Sequence, residues 1–558
     1  MKKLNNVITF TIKSLLLATT VLMTSETVVG AANDRPNILF IMSDDHCARA
    51  IGAYQGRLAP LNPTPTLDRL AAQGMRFDHV FCTNSICTPS RATILTGQFS
   101  HINGVRDLYD SLPGKKLYLP AEMKKAGYTT AVIGKWHLKK SPQFFDYYCV
   151  IAGQGRYMNP VMHTNGPGEI RKIRFDSTLT RKVNVVDTKG HSSDVLTNFT
   201  LEWLDKKRDK TKPFFLMHHF KAPHDMFVFA PRYKSYLEDK KIPEPTNLYD
   251  QPGPNFGSVA TRGKDDSLLG VIGSTISPRK TKRNLTRHYR KRIQKAAGGK
   301  KLSDKELTYE THQRYVKEYL RCVKGIDDNL KRILDYLKDN NLMENTIIVY
   351  TSDQGMFLGE HDFIDKRWMY EESIRMPLII RWPGVTKNGS SCDWLINNAD
   401  FAPTLLEMAG AKPSQQMQGH SFASACKGEK EPDSWRKSTY YRYWMHMAHG
   451  HNNPAHFGIR TKKHKLIFFY GSDYKGTHNG RVVSNKGGNR FWKDTPAGWE
   501  FYDLEKDPHE MHNRYADPKY ATTIADLKAE LKHKRATLRD TDTDNPRLKR
   551  IIDKHWND

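Results

Sequence analysis

Short runs of consecutive apolar residues alternate along the first two thirds of the chain with longer stretches in which apolar positions recur every three or four residues. Residues 37–42 (NILFIM), 129–133 (TTAVI), 213–217 (PFFLM) and 346–351 (TIIVYT) are apolar on both faces and short, which predicts strands buried from both sides. Val316, Tyr319, Leu320, Val323, Ile326, Leu330, Ile333, Leu334 and Leu337 fall on one helical face, so a long amphipathic helix is expected before the last of these strands. Buried strands separated by helices give an α/β fold, with a large, mostly parallel sheet flanked by helices. After about residue 436 the pattern changes to aromatic-rich segments such as STYYRYW, GIRTKKHKLIFFY and WEFYDL, separated by Gly and Asn. These predict a smaller antiparallel sheet, closed by a helix with Ile524, Leu527, Leu531 and Leu538 on one face. The expected organisation is a leader over 1–32, a large domain over 33–436 and a C-terminal α+β subdomain over 437–558.

At 558 residues the chain exceeds the usual limit of one hydrophobic core, in keeping with two units. Lys2 and Lys3, an apolar stretch around 15–23 and small residues at 30–32 have the layout of a secretory signal peptide, which places the protein in the periplasm or outside the cell. No later stretch is apolar enough for a membrane span, so no stable membrane insertion is expected. The formal charge is +27, and without the leader's Lys2, Lys3, Lys13 and Glu26 it is still +25. Such a surface attracts polyanions; for an exported protein a sulfated glycan fits better than nucleic acid. Residues 279–305 hold twelve Lys or Arg and one acid, Asp304, within a basic stretch near 250–305 that reads as an exposed, mobile insertion. Its charge is most simply a solvated face, with polyanion binding as the alternative. Seven cysteines without a CxxC pair exclude a disulfide scaffold and a structural zinc site. If one is consumed chemically, the other six either pair or stay buried as small hydrophobes.

The polar residues that follow the strands carry the chemistry. Asp44 and Asp45 come directly after the first strand, and Asp353 and Gln354 directly after the last; open α/β sheets form their ligand crevice at such ends. Adjacent carboxylates are either solvated in a loop or neutralised by a hard cation, and two such pairs favour the cation. The other two strands lead into GKWHL, with Lys135 and His137, and HHFKAPHDM, with His224. Together with Arg91 they supply cations and proton donors for a tetrahedral anionic ester. His218 and His219 read as packing residues.

The segment CTPSRATILTG, residues 87–97, resembles the signature of type I sulfatases of the alkaline phosphatase superfamily, whose fold is the α/β architecture expected above. The resemblance runs from residue 36 to FYDLEKDPHEMHN at 501–513. It implies that a maturation enzyme oxidises Cys87 to formylglycine, and that Asp44, Asp45, Asp353, Gln354 and the Cys87-derived oxygen hold Ca2+. Family members often carry Asn where Gln354 stands, and either amide offers a carbonyl ligand. It further implies that Lys135, His224 and Lys366 of HDFIDKRWMYEES grip the sulfate, that Arg91 with the Ca2+ stabilises the attacking oxygen, that His224 or Lys366 protonates the departing sugar oxygen, and that His137 is a general base. KAPHDM, DKRWMYEES and HFGIRTKKHKLI look most like bacterial carbohydrate sulfatases related to N-acetylglucosamine-6-sulfatases, which implies exo-acting removal of a 6-O-sulfate from a sulfated oligo- or polysaccharide. His446, His451, Asn452 and His456 resemble the region from which such enzymes reach their substrate, with surface histidines as the alternative. Three other readings stay open: a sulfatase of an algal galactan or fucan, a phosphoester or phosphonate hydrolase of the same superfamily, and a non-catalytic glycan-binding protein with Cys87 unmodified.

Overall fold

The computed structural model describes residues 35–114, 116–175, 179–250, 256–475 and 494–558; the leader lies outside them. All four runs expected to be buried strands are strands: β1 (Asn37–Ser43), β2 (Thr129–Lys135), β3 (Phe214–His219) and β4 (Thr346–Ser352). They lie side by side in the order β4-β1-β3-β2 and all run parallel, so their carboxyl ends share one edge. β1 has Ile38, Leu39, Phe40 and Ile41 at 0 % exposure, because helices cover both faces of the sheet. The sheet has eleven strands in all. Antiparallel strands extend it on both flanks, such as Leu378–Arg381 beside β4 and the hairpin of Glu169–Arg174 with Thr180–Asp187 at one edge. The sheet is thus parallel at its centre and mixed as a whole. The edge hairpin is half exposed and rich in Arg and Lys, so it lacks an apolar run that sequence patterning can detect.

The long amphipathic helix is present as α2 (Asp304–Asp339), about 54 Å at 1.5 Å per residue. A capping box starts it: the Ser303 hydroxyl accepts the Glu306 N–H while the Glu306 carboxylate accepts the Ser303 N–H. Its apolar face packs on the sheet, with Val316, Tyr319, Leu320, Val323, Ile326, Leu330 and Ile333 all at 0 % exposure. The basic stretch before it is largely solvent-exposed, as expected, and it is folded. Residues Leu285–Ala296 form a helix, α1, whose Leu285, Tyr289 and Ile293 are buried against α2, and Tyr289 donates to Glu318 at 2.6 Å. Three apolar residues at i, i+4 and i+8 are enough to dock a helix that is otherwise cationic.

The C-terminal sheet is an antiparallel meander of β5 (Ser438–Tyr443), β6 (His456–Thr461), β7 (His464–Phe469) and β8 (Gly498–Asp503). The closing helix α3 (Ala521–Thr537) lays Ile524, Leu527 and Leu531 on it, in a core shared with Phe457, Phe468 and Phe501. Arg442 of β5 is sunk in this region, its guanidinium 2.6 Å from Asp540 and 2.8 Å from Asp542 and stacked 3.6 Å from the centre of the Trp444 ring. Removing one partner of such a pair strands the other charge in a dry interior. Arg442→Ala is therefore expected to cost about 3–5 kcal/mol of stability, measurable as a lowered urea midpoint. All seven cysteines are buried free thiols.

Candidate active site

The carboxyl edge of the four parallel strands meets a short helix that begins at Cys87, residues Cys87–Thr96, every residue of which is buried. The helix ends at Gly97, whose φ of +64° and closeness to Met417, 2.9 Å from where a Cβ would sit, leave no room for a side chain. Cys87 is thus held in the first turn of a rigid element. The His137 Nδ1 lies 3.1 Å from its sulfur, and His137 is locked in turn by Thr88, whose hydroxyl donates to the His137 carbonyl at 3.0 Å. One turn on, Arg91 donates through Nε to Asp353 at 2.9 Å and through Nη1 to the Lys135 carbonyl at 2.7 Å, and its Nη2 lies 3.5 Å from Asp44. The strand ends supply the rest: Lys135 donates to Asp44, Lys366 to Asp45 at 2.5 Å, and the His224 Nε2 stands 3.8 Å from Asp45.

Three carboxylates, Asp44, Asp45 and Asp353, are thus packed against three cations, Arg91, Lys135 and Lys366, with all six buried. Burial raises Asp45 to about 7 against the pull of Lys366, and raises Asp353 to about 6, where Asp44 adds to the rise. Burial would also raise Asp44, but Lys135, His224, Arg91 and Lys366 together hold it well below the usual carboxylate range. Burial, followed by the nearby Lys135, keeps His137 and His224 well below the ordinary histidine range, so both rings are neutral. The His224 Nδ1 donates to the Asp225 carbonyl at 2.5 Å, which leaves Nε2 facing the acidic cluster.

The donor set suits a hard divalent cation. The Asp44 Oδ1 and the Gln354 Oε1 are buried without a hydrogen-bond partner, and Asp44, Asp45 and His224 each place a ligand atom within 4.8 Å of the others. Carboxylate and amide oxygens of this kind are what Ca2+ takes as ligands.

Residues 36–411 match the sulfatase family model, and residues 359–477 and 488–537 match the C-terminal model of N-sulphoglucosamine sulphohydrolase. This chain belongs to the sulfatase family. It is 36 % identical over 536 residues to an N-acetylglucosamine-6-O-sulfatase of Bacteroides thetaiotaomicron, covering 91 % of this chain and 88 % of that one. It is 25 % identical to the N-acetylglucosamine-6-sulfatase of Capra hircus, covering 87 % of this chain and 81 % of that one. A solved structure in complex with its substrate D-glucosamine-2-N,6-O-disulfate superposes with a TM-score of 0.74 at 35 % identity, over 92 % of this chain and 99 % of that one. The protein is a sulfuric ester hydrolase with the alkaline-phosphatase-like fold.

Two further polar residues that the sequence motifs did not single out stand beside this cluster. Gln154, in the loop after the strand Tyr147–Ile151, has its Nε2 4.0 Å from the Cys87 sulfur and its buried Oε1 without a partner. Lys221 is buried, with its ammonium 4.7 Å from the centre of the Tyr157 ring, and burial followed by the Lys135 charge lowers it to about 8. Residues 147–151 (YYCVI) form a fifth apolar run whose end carries Gln154, and Lys221 lies three residues before His224 in a segment read only through its histidine.

Of the histidines expected to read the substrate, only His451 reaches the neighbourhood of the pocket. Its Nε2 lies 2.6 Å from the Arg283 Nη1, and since a guanidinium only donates, Nε2 accepts. The proton therefore sits on Nδ1, which lies 3.2 Å from Asp365, the residue before Lys366. His456 is at 0 % exposure, with its ring stacked on Tyr441 and flanked by Phe469, and its Nδ1 donates to the Pro454 carbonyl at 2.7 Å. The His446 Nδ1 accepts the Ala455 N–H at 3.1 Å, and the Asn452 side chain donates to the Val271 carbonyl at 3.0 Å. His456 thus belongs to the packed interior of the C-terminal sheet, while His446 is buried in the loop between β5 and β6. Inward positions of an aromatic-rich strand take a histidine whose ring packs as well as a phenylalanine's. His218 and His219 are buried in β3, bonded to Thr200 and to the Lys135 carbonyl.

Proposed function

We propose that this sulfatase is an exported, exo-acting carbohydrate sulfatase that removes the 6-O-sulfate of a glucosamine-type sugar in a sulfated glycan, using Ca2+ and a formylglycine made from Cys87. The observation that carries the reading is the seating of Cys87 at the head of a buried helix, with the His137 Nδ1 3.1 Å away and Arg91, Lys135 and Lys366 gathered at the same edge. The sugar assignment is supported by the 36 % identity to the Bacteroides thetaiotaomicron enzyme and by the disulfated glucosamine bound to the structural neighbour.

In this mechanism Asp44, Asp45, Asp353 and Gln354 would hold Ca2+, which stabilises negative charge on the attacking oxygen and on the sulfate. A formylglycine at position 87, installed by a maturation enzyme, would supply as its hydrate two hydroxyls on one carbon: one, its proton given up to the Asp44–Asp45–Asp353 carboxylates and its charge held by Arg91, would bond to sulfur, and loss of the other's proton would expel the sulfate and restore the aldehyde. Lys135 and Lys366 bind sulfate oxygens; burial lowers the basicity of Lys366, but Asp45 more than restores it, so it stays an ammonium. The sulfur–oxygen bond to the sugar breaks, and the departing oxygen takes a proton from the Lys366 ammonium, because the neutral His224 holds its one proton on Nδ1 against the Asp225 carbonyl. His137, neutral and in contact with the side chain at 87, accepts the proton of the remaining hydroxyl at Nδ1.

Sulfate release from a panel of sulfated sugars tests the reading. Glucosamine 6-O-sulfates are expected to turn over at least about tenfold faster than galactose or fucose sulfates and than the matching 6-phosphate. Preference for a galactan or fucan unit, or for the phosphate, would overturn it. Recovery of a mature chain that starts after residue 32 from the periplasm or medium tests the export.

A further inference from the structure

We infer that α1 is a docking track for the glycan chain beyond the sugar being desulfated, so that the enzyme holds a sulfated polymer rather than a lone sugar. The inference rests on the sulfated-glycan reading above and concerns the basic segment that the catalytic mechanism leaves unused.

The track begins at the pocket. Arg283, just before α1, lies 3.6 Å from Asp225 and 2.6 Å from His451, and these residues adjoin His224 and Asp365–Lys366 respectively. The short strand carrying Arg283 pairs with Ser274–Thr275, and the segment between is clipped to the loop before Lys366: the Ser277 N–H donates to Asp362 at 2.8 Å. Arg283 is therefore fixed at the mouth of the site, with its side chain 42 % exposed.

From there α1 leads away for about 18 Å. Its buried face is Leu285, Tyr289 and Ile293, and its exposed face carries Arg287, Arg290, Lys291, Arg292 and Lys295, with no acid anywhere between residues 282 and 295. The ion pairs nearby are Arg283–Asp225, Lys300–Glu306 and Arg314–Glu318; among the described residues the five helix cations join none. Five like charges on one face of a docked helix repel one another and lose that repulsion when a polyanion lies along them. A chain with a sulfate on successive sugars, its terminal residue in the pocket, is a polyanion of the kind that such a face attracts.

The experiment compares the enzyme with its Arg287→Glu/Arg290→Glu/Lys291→Glu variant, which leaves the buried face of α1 intact. A matching melting temperature checks the fold. The substrates are D-glucosamine-2-N,6-O-disulfate and a heparin-derived hexasaccharide bearing 6-O-sulfate. For the monosaccharide kcat/KM is expected to stay within about twofold, whereas for the hexasaccharide it falls about tenfold or more at low salt, and the gap closes as salt rises. Equal hexasaccharide kinetics for the two proteins would overturn the track. Binding of the hexasaccharide, followed by calorimetry with Cys87→Ala in both backgrounds, reads the track without turnover, so a wild type inactive on both sugars would sink the sugar assignment while the affinity loss still decides the track. Binding of a single-stranded DNA 12-mer or of anionic phosphatidylglycerol vesicles as tightly as the hexasaccharide would reject a glycan as the occupant.

Discussion

Replacing Cys87 by serine is expected to leave a folded protein whose steady-state turnover falls by roughly 10⁴-fold or more, the order seen when a covalent nucleophile is removed. The fold is spared because Ser and Cys are similar in size and the Cys87 sulfur makes no structural bond beyond its contacts with His137 and Gln154. The chemistry is lost because a serine carries one hydroxyl. Sulfate transferred to it has no neighbouring hydroxyl whose deprotonation expels it, so a stable ester accumulates. Intact-mass spectrometry after incubation with substrate should show the variant heavier by one sulfonate group, alongside an aldehyde at position 87 in the wild type. Full multiple turnover by Cys87→Ser would sink the mechanism, and an unconverted cysteine in active enzyme would do the same.

Chelation carries the next largest effect. Chelation is expected to leave Arg91, Lys135 and Lys366 paired with Asp44, Asp45 and Asp353 rather than available to sulfate, with His224 and Gln354 also against Asp45. Activity is expected to vanish in excess chelator and to return with Ca2+. Binding also has a stability readout: at a free Ca2+ concentration 100 times its Kd, the folded state gains about 2.7 kcal/mol. For a chain of this size that is a rise in melting temperature of a few degrees. Asp45→Asn removes one ligand charge and should abolish most of that rise, while also leaving Lys366 without its 2.5 Å partner. A melting temperature equally sensitive to Ca2+ in the wild type and in Asp45→Asn would mean that the ion binds elsewhere.

The chemistry of the pocket is legible along the chain because a parallel sheet converts sequence order into spatial convergence. Asp44, Lys135, His224 and Asp353 are scattered over more than 300 positions, yet each follows a buried apolar run, and buried parallel strands bring their carboxyl ends to one edge. Cys87 and Arg91 are legible for another reason: they lie one helical turn apart, so local geometry alone puts them on one face. The edge hairpin of Glu169–Arg174 escapes pattern reading because half-exposed strands rich in Arg and Lys have no apolar periodicity.

The sequence by itself determined the central strands, the long helix, the aromatic C-terminal sheet and the motif residues of the reacting centre, since these depend on local apolar periodicity and on short spacings. Only the tertiary structure decided which histidines pack and which reach the pocket. His451 meets Arg283 across 168 positions, whereas His456, five residues further on, is enclosed by Tyr441 and Phe469. Tertiary structure likewise decided that the basic segment folds as a helix docked on α2 and begins beside His224's neighbour Asp225. Such encounters depend on how one element seats on another. That seating is set by the summed burial of faces such as Leu285, Tyr289 and Ile293, and no spacing along the chain encodes it.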